Sequence, residues 1–368
     1  MISGDPKLEN SDSLVAKRIA NYGQVAEKIF IVTSADGSDY QLKENIFVYP
    51  IGKGLPFLRI NSFKRKAREI IQKNNLTSKN TIITTQDPFD TGLAGVGLKK
   101  EFGFPLEVQI HGDIMSPWFK RQSVIHRIRV SMVQKVLEKA DKVRAVSSMI
   151  ADSVSRFISR DNIYVLPIYV NKPLDYGNRE FLPNKYPGFG FIMLTIARLE
   201  PEKNVAQAVR LLKRVLTIEP RAGLVILGDG SQRKKLESLS EKLGVREHLS
   251  FEGWQDNTRD YLASAHLYMQ NSFFEGYGMA IAEAALFGRA IISSDVGIAH
   301  DLSKMNACMV APVNDDKKMF EQLKVALNQE GRVIMGIAGQ RVIDSLIVSK
   351  EKFLQIQKEQ WQLILDKS

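Results

Sequence analysis

The 368-residue sequence lacks the residues that build disulfides and membrane spans. Its single cysteine, Cys308, excludes an intramolecular disulfide and suits a reducing compartment. Because Cys308 lies in an apolar run, we interpret it as a small buried hydrophobic residue rather than a catalytic thiol. No apolar run approaches the roughly 20 residues that span a bilayer, and the N-terminus lacks a signal-peptide pattern. We therefore expect a cytoplasmic protein that touches at most the inner face of a membrane.

Metal-binding and phosphate-loop motifs are also missing. No Asp-x-Asp, His-Glu-x-x-His or Cys-x-x-Cys occurs, and the pair Gly52-Lys53 is followed by Gly54 rather than by the hydroxyl residue of a P-loop. The sequence therefore gives no support for metal catalysis. We expect neither a metal site nor a cofactor.

Positive charge, in contrast, is in excess. The formal net charge is +10 at pH 7. Such a surplus favours anionic partners, among them nucleotides, acidic lipid headgroups and nucleic acid. No nucleic-acid-binding motif accompanies the charge, so we do not expect nucleic acid as a partner.

Short apolar runs alternate with longer amphipathic stretches in both halves of the chain. Strands are predicted at 29–32, 46–49, 81–84, 107–110, 142–146, 164–167, 191–196, 224–227, 249–252, 267–270, 290–293 and 308–310. Helices are predicted at 62–73, 122–139, 148–158, 205–216, 232–243, 258–264, 279–287, 317–328 and within 341–366. This rhythm predicts an α/β protein with two Rossmann-like domains that face each other across a cleft.

A polar, proline-bearing stretch separates the two halves and is interpreted as a linker over 171–188. The first domain is then expected over 1–170 and the second over 189–345. The remaining residues, 346–368, are expected to form a C-terminal helix that packs back on the first domain.

The most informative stretch follows a predicted strand and opens a helix at Met279. Gly276 and Gly278 permit a close approach of ligand to main chain, and the start of the helix is a ready anion site. Glu275 and Glu283 flank that position as acceptors for hydroxyl groups. On spacing alone, a diphosphate site without a metal and a plain glycine turn with two solvated acids remain equal alternatives.

Three further polar side chains stand at or shortly after the ends of predicted strands. Arg198 and Lys203 offer a planar fork and a compact charge for phosphate oxygens near a helix start; the alternative is a pair of surface cations. His111 ends another strand and precedes Gly112 and Asp113. It is a candidate for binding a sugar hydroxyl, although a lone histidine is usually structural.

Together these segments resemble the retaining glycosyltransferases of family four, which have the GT-B fold. Glu275 and Glu283 stand at the spacing of the family's Glu-x7-Glu motif. Arg198 and Lys203 match its two cations, and His111 matches its strand-ending histidine. Weaker matches occur at Gly228-Asp-Gly230, Phe251-Glu-Gly-Trp254 and Ser294-Asp-Val-Gly297. The likeness covers most of the chain and is strongest over 191–297.

The chain departs from the family at two glycine positions. The loop after the first strand keeps only Gly4 where the family often has paired glycines, and Ile298 follows Gly297 where a second glycine is common. These differences bear on the preference for sugar and acceptor more than on the reaction class.

The resemblance implies metal-independent, retaining transfer of a sugar from a UDP- or GDP-sugar to a glycan or lipid-linked acceptor in cell-envelope polysaccharide synthesis. It implies that 1–170 is the acceptor-side domain and 189–345 the nucleotide-sugar-binding domain. The implied catalytic residues are His111, Arg198, Lys203 and Glu275. The implied substrate-binding residues are Gly4, Asp113, Gly228, Glu252, Gly253, Trp254, Gly276, Tyr277, Gly278, Met279, Ala280 and Glu283.

In the implied arrangement, Glu275 and the main chain of 276–279 hold the donor sugar, while the two cations neutralise the diphosphate. Glu283 binds the ribose hydroxyls, and 252–254 lies near the base. His111 lies by the transferred sugar and the acceptor.

A basic stretch over 118–144 starts with two aromatic residues and carries an apolar stripe at helical spacing. We hypothesise that it lies on an anionic membrane surface; the alternative is an ordinary helix with a solvated basic face. Two other functions compete with the main one. The chain could be another enzyme of this fold, such as an epimerase or a phosphorylase, or a non-catalytic basic two-domain protein that binds glycan or nucleic acid.

Overall fold

A computed structural model describes residues 1–54, 56–173 and 175–367. The chain divides into two compact units. The first comprises 1–167 together with 350–368, and the second comprises 168–349.

The first unit is built on an eight-stranded sheet in the order β3-β4-β2-β1-β5-β6-β7-β8. Its strands are β1 (Ile2–Ser3), β2 (Ile29–Thr33), β3 (Tyr40–Lys43), β4 (Ile46–Pro50), β5 (Ile83–Thr85), β6 (Leu106–Ile110), β7 (Lys142–Ala145) and β8 (Ile163–Val165). Strand β3 is antiparallel to β4, and the other neighbours are parallel. Its helices include α1 (Leu14–Ile19), α2 (Pro56–Lys73), α3 (Asp90–Phe102), α4 (Pro117–Arg121), α5 (Val124–Leu137) and α6 (Ser148–Val154).

The second unit contains a six-stranded, wholly parallel sheet in the order β11-β10-β9-β12-β13-β14. Its strands are β9 (Phe191–Ile196), β10 (Ala222–Leu227), β11 (Leu249–Gly253), β12 (Leu267–Gln270), β13 (Ala290–Ser294) and β14 (Met309–Ala311). Its helices are α7 (Phe181–Lys185), α8 (Val205–Val215), α9 (Arg233–Leu243), α10 (Thr258–Ser264), α11 (Met279–Leu286), α12 (Ile298–Lys304), α13 (Asp316–Leu327) and α14 (Gln329–Leu346). This strand order is that of a doubly wound Rossmann sheet, which reverses direction between its first and fourth strands, here β9 and β12.

The last helix, α15 (Lys350–Leu365), belongs to the first unit although it follows the second in sequence. The stretch 171–188, expected as a linker, lies in the second unit and contains α7. There Leu182 is buried.

The two parallel α/β sheets confirm the predicted fold class. The strand over 267–270 and the helix over 258–264 have the predicted bounds, and most other predicted elements differ by a few residues. Helix α3 was not predicted because three glycines lower its helix propensity. The same glycines allow close packing: a Cβ at Gly95 would lie 2.8 Å from side-chain atoms of Leu106 and Thr85.

Candidate functional site

In the second unit, two loops leave the sheet at the point where its strand order reverses. The first, 197–204, follows β9, and the second, 271–278, follows β12. Ligands of open parallel sheets bind at this point, outside the carboxyl ends of the strands. The loops are joined through main chain, because the N–H of Phe273 donates to the carbonyl oxygen of Glu202 at 2.8 Å.

A nearly buried ion pair also joins these loops. The Nζ of Lys203 lies 2.7 Å from Oε1 of Glu275, and their side chains are only 15% and 12% exposed. The same oxygen accepts hydrogen bonds from Gln270 Nε2 at 2.8 Å and Ser272 Oγ at 2.7 Å. All three donors meet Oε1, so Oε2 remains the oxygen with which Glu275 can accept from a ligand.

Arg198 lies on the first loop but is not part of this pair. Its side chain is 63% exposed and contacts Glu202 at 3.0 Å. An exposed i, i+4 pair of this kind contributes little to stability. The guanidinium can therefore leave Glu202 at small cost when an anion is bound nearby.

The second loop ends at Gly278, which has left-handed backbone (φ 91) and precedes α11 without a side-chain cap. The first N–H groups of α11 therefore have no capping side chain in the described part of the chain, and they carry the positive end of the helix dipole. Gly297 supports this turn. Its φ is 50, and an added Cβ would lie only 2.3 Å from the carbonyl oxygen of Tyr277.

Tyr277 and Glu283, two further predicted site residues, differ in what their side chains contact. The side chain of Tyr277 is buried, and its hydroxyl donates to the carbonyl oxygen of Leu346 at 3.1 Å. Only its main chain is left for a ligand. Glu283 lies in the second turn of α11, and burial raises its pKa above the ordinary value.

Gly228 brings the loop after β10 against the first loop and bonds to Gly253 at the end of β11. The N–H of Gly228 donates to the carbonyl oxygen of Gly253 at 2.6 Å. A Cβ on Gly228 would lie 2.0 Å from the carbonyl oxygen of Ala197, so no other residue fits there without movement. Both glycines have positive φ, 121 and 68.

Glu252 is committed to the fold. Its carboxylate accepts hydrogen bonds from Lys185, Tyr186, Tyr261 and Ser250. Burial alone would raise its pKa, but these donors outweigh burial and lower it to about 2. Its carboxylate is thus occupied, and the groups left for a ligand in this segment are the main chain and Trp254, whose side chain is 70% exposed.

In the first unit, His111 follows β6 directly. Its Nε2 lies 3.2 Å from Oε1 of Gln109, and its side chain reaches solvent. Partial desolvation by the surrounding protein, then the positive charges of Arg144 and Arg18, lower the pKa of His111 below its ordinary value. The histidine is therefore neutral at physiological pH. Asp113, two residues on, accepts from the N–H of Ser116 at 3.1 Å.

Asp87, which was not predicted as a site residue from the sequence, follows β5 next to Gly4. A Cβ on Gly4 would lie 3.4 Å from Oδ2 of Asp87. Strands β1 and β5 are neighbours, and their loops flank the point where the first sheet reverses its strand order. Burial, then the negative charge of Asp90, raise the pKa of Asp87 to about 6. The polar Gln86-Asp87-Pro88 turn after an apolar strand was the signal available in the sequence.

The basic stretch forms α4 and α5. Val124, Ile125 and Ile128 on α5 have exposed fractions of 64%, 49% and 40%. The guanidinium of Arg121 stacks over the ring of Trp118 at 5.1 Å. No helix within 1–54, 56–173 and 175–367 has the length and apolar character to cross a membrane. The same residues hold no cluster of three or more metal-ligating side chains.

Two family models match the chain. The model described as "Glycosyltransferase Family 4" matches 25–172, and the model described as "Glycosyl transferases group 1" matches 180–341. Between them they cover most of both units.

Curated relatives match shorter segments. The lipopolysaccharide core biosynthesis glycosyltransferase LpsD of Rhizobium meliloti is 31% identical over 108 residues, which are 29% of this chain and 30% of LpsD. The poly(glycerol-phosphate) alpha-glucosyltransferase of Bacillus subtilis is 27% identical over 136 residues, 37% of this chain and 20% of that enzyme. The matched segments thus span less than a third of these relatives.

Solved structures match over nearly the whole chain at low identity. HepE of Anabaena in complex with UDP has a TM-score of 0.78 and 15% identity, with 98% of each chain covered. The apo form of the lipopolysaccharide outer core galactosyltransferase WaaB has a TM-score of 0.72 and 18% identity, again with 98% of each chain covered. At such identities the similarity shows a shared fold.

Proposed function

The chain belongs to the glycosyltransferase group 1 family, also called glycosyltransferase family 4, and has the fold of GT-B enzymes; from this we propose that it is a metal-independent, retaining glycosyltransferase. It transfers a sugar from a nucleoside diphosphate sugar to a hydroxyl group of a glycan or lipid-linked acceptor. The second unit binds the donor, and the first unit binds the acceptor.

The observation that carries this proposal is the meeting of a cation, a carboxylate and an uncapped helix start at one point. Lys203 and Glu275 lie 2.7 Å apart where the second sheet reverses its strand order. The start of α11 follows directly behind Gly278. A pyrophosphate there gains the helix dipole, free N–H groups and the charge of Lys203, so no metal is required.

The remaining donor contacts follow from this placement. Glu283, one turn further along α11, accepts hydrogen bonds from the ribose hydroxyls. Trp254, 70% exposed, offers its ring to the base together with the main chain of 252–254. Arg198 leaves Glu202 and adds a second positive charge to the diphosphate. Glu275 uses Oε2 to accept from a hydroxyl of the donor sugar.

During transfer, the bond between the anomeric carbon and the phosphate oxygen breaks, and negative charge grows on the diphosphate. Lys203, Arg198 and the helix start stabilise that charge, which is the largest contribution expected from this site. The acceptor oxygen attacks from the side of the leaving group, and a phosphate oxygen takes its proton. The anomeric configuration is therefore retained. His111 and Asp113 bind hydroxyl groups on the acceptor side of the reaction, with Gly4 and Asp87.

We propose a cell-envelope polysaccharide as the product. LpsD is named for lipopolysaccharide core biosynthesis, and WaaB for transfer of galactose to the outer core. HepE was crystallised with UDP. These similarities make UDP-hexoses the first donors to test and envelope glycans the first acceptors.

We propose that such acceptors are met at the inner face of a membrane, a surface to which helices α4 and α5 are suited. Exposed Val124, Ile125 and Ile128 lie among lysines and arginines, so both apolar insertion and charge attraction favour an anionic bilayer. Flotation with phosphatidylglycerol vesicles at low salt should recover the protein, and neutral vesicles should recover much less. The double substitution Lys120→Glu and Arg121→Glu should abolish recovery, whereas Lys234→Glu with Lys235→Glu on α9 should not.

Donor binding is best tested by calorimetry with the full chain. UDP or GDP should bind in the micromolar to sub-millimolar range typical of substrates, roughly 1 μM to 1 mM, in the presence of a chelator. Glu283→Gln should weaken binding of the nucleotide, while Glu330→Gln, far along the same unit, should leave it unchanged.

Product analysis decides between transfer and binding alone. A glycoside with the donor's anomeric configuration supports the proposal. Tight binding of duplex nucleic acid with steep salt dependence, and no product from a broad panel of donors, would favour the non-catalytic alternative.

A further inference from the structure

Three polar side chains form a row on one face of β6 and just beyond it. Successive side chains of a strand point to opposite faces, so Glu107, Gln109 and His111 share a face. Glu107 and Gln109 are completely buried. Neighbouring strands add polar partners in register, because Thr84 of β5 stands beside Glu107 and Arg144 of β7 beside Gln109.

Helix α15 covers the buried end of this row, at Glu107. The Nε2 of Gln357 and the Nε1 of Trp361 donate to Oε1 of Glu107 at 3.0 and 3.1 Å. The hydroxyl of Tyr164 donates to the same oxygen. On the other side of the carboxylate, Oε2 accepts from Thr84 Oγ1 at 2.6 Å. Glu107 is thus surrounded by donors.

These neighbours fix the orientation of the Gln109 amide. Its Nε2 donates to Oε2 of Glu107 at 3.0 Å, and an amide nitrogen must face an acceptor. Its Oε1 accepts from Nη1 of Arg144 at 3.1 Å, and a guanidinium can only donate. The reversed amide would place nitrogen against arginine and oxygen against carboxylate, so only one orientation is compatible with both partners.

The oriented amide in turn determines the tautomer of His111. Oε1 of Gln109 lies 3.2 Å from Nε2 of His111, and an amide oxygen can only accept. The ring must therefore carry its proton on Nε2. In the neutral ring the other nitrogen, Nδ1, then carries a lone pair that can accept.

We propose that Gln109 is a positioning residue: held by Glu107 and Arg144 under helix α15, it keeps His111 in the neutral tautomer protonated on Nε2, so that Nδ1 accepts a hydrogen bond from a hydroxyl group of the sugar or acceptor. The identity of this ligand rests on the proposed glycosyltransfer, whereas the tautomer does not. A neutral acceptor suits a hydroxyl donor and is unsuited to the diphosphate. His111 and Lys203 therefore have opposite tasks, one accepting hydrogen bonds and one compensating negative charge.

Nitrogen NMR of the full chain labelled with [15N]histidine tests the tautomer directly. The chain has five histidines, and His111→Asn identifies the signals of His111. At pH 7 we expect a single tautomer protonated on Nε2, with an Nε2–H proton slow enough in exchange to be observed. Gln109→Leu should release the ring, so the proton signal is lost to exchange and the two nitrogen shifts move toward the average of both tautomers.

Gln86→Leu is the matched control. Gln86 Nε2 also donates to Oε1 of Gln109, at 3.3 Å, but supplies no acceptor to the histidine. This variant should keep the wild-type signals of His111. A wild-type ring that is protonated on Nδ1, doubly protonated or averaging between tautomers at pH 7 would overturn the inference, as would unchanged signals in folded Gln109→Leu.

Kinetics separates this inference from the proposed function. Gln109→Leu should lower kcat/KM for sugar transfer by up to about 100-fold through misplacement of a ligand, while the dissociation constant for UDP stays unchanged. The same Gln86→Leu control should retain wild-type kcat/KM. An Nε2–H tautomer in a chain that transfers no sugar would remove the proposed function and leave the tautomer established.

Discussion

The two sheets are stabilised in different ways. The second sheet is buried largely by apolar side chains, and its core is formed with helices that lie close in sequence to its strands. The first sheet carries a buried layer of hydrogen-bonded polar side chains, among them Glu107, Gln109 and Arg144. This layer is completed by α15, which follows the whole second unit in sequence. The scaffold of the second unit is therefore locally encoded, whereas that of the first unit depends on residues more than two hundred positions apart.

Removing the carboxylate at the centre of the polar layer should have the largest effect on stability. Glu107→Leu leaves the hydroxyl of Tyr164 and the indole N–H of Trp361 without their acceptor in the interior and removes one of the two acceptors of Gln357 Nε2. We expect the free energy of unfolding of the first unit to fall by about 3–5 kcal/mol, because each buried donor left without an acceptor costs about 1–3 kcal/mol. Denaturant unfolding in a Trp254→Phe background measures it, because the remaining tryptophans both lie in the first unit.

The matched change in the apolar sheet is Thr195→Val, which removes one buried hydrogen bond from Thr195 Oγ1 to the carbonyl oxygen of Met269, 3.0 Å away. It should cost only about 1 kcal/mol. Equal losses in the free energy of unfolding for Glu107→Leu and Thr195→Val would contradict the proposed difference in how the two sheets are stabilised.

The next largest effect should be on catalytic activity. It concerns Lys203 in the second unit rather than the polar layer of the first. Lys203→Met removes the cation that we propose to compensate the diphosphate, and it leaves Glu275 without its ion pair. We expect kcat to fall by about 100- to 1,000-fold, as for the loss of one donor to a developing negative charge. Steady-state kinetics with a UDP-hexose measures this loss.

Lys213→Met, on the exposed face of α8, serves as the control and should leave kcat unchanged. A fall of less than tenfold in Lys203→Met would show that the helix start and Arg198 suffice for the leaving group.

The same contrast explains how much of the molecule the sequence predicts. In the second unit, uninterrupted apolar runs mark the strands, and the loops with Lys203 and Glu275 follow them directly, so the location of the candidate donor site follows from local pattern. In the first unit, polar residues at 107, 109 and 144 resemble solvent-facing strand positions. Their burial depends on α15, and no local signal indicates which sheet that helix will cover. The pairing of His111 with Gln109 could therefore not be predicted from the sequence.

Close backbone approach supports the turn before α11 in the second unit, and Gly297→Ala tests this. The new Cβ would lie 2.3 Å from the carbonyl oxygen of Tyr277, at a backbone φ of 50 that disfavours side chains. We expect a loss of about 1–3 kcal/mol in the free energy of unfolding from backbone strain. Displacement of the turn over 275–278 should also weaken UDP binding, as measured by calorimetry.

Gly244→Ala provides the comparison for Gly297→Ala. Gly244 has a similarly positive φ of 70, but nothing lies within 4 Å of its added Cβ. The Gly244→Ala variant should be less stable than the unaltered chain but should bind UDP with the same affinity. If both variants bound UDP as tightly as the unaltered chain, close approach at Gly297 would not be what holds the turn.

The smallest expected effect concerns Asp87, at the point where the first sheet reverses its strand order. Burial, then the charge of Asp90, raise its pKa to about 6. An aspartate in the unfolded chain has a pKa of about 4. Between these values the folded chain binds more protons than the unfolded chain, so the contribution of Asp87 to stability is present below about pH 4 and is lost as pH rises through about 6.

Asp87→Asn keeps an oxygen for the N–H of Phe89, which Oδ1 of Asp87 binds at 2.8 Å, and removes the charge. Relative to the unaltered chain, this variant should gain up to about 2 kcal/mol in the free energy of unfolding between pH 4 and pH 7. Denaturant unfolding across that range measures the gain, and a difference that stays constant with pH would mean that the carboxyl group titrates as it does in water.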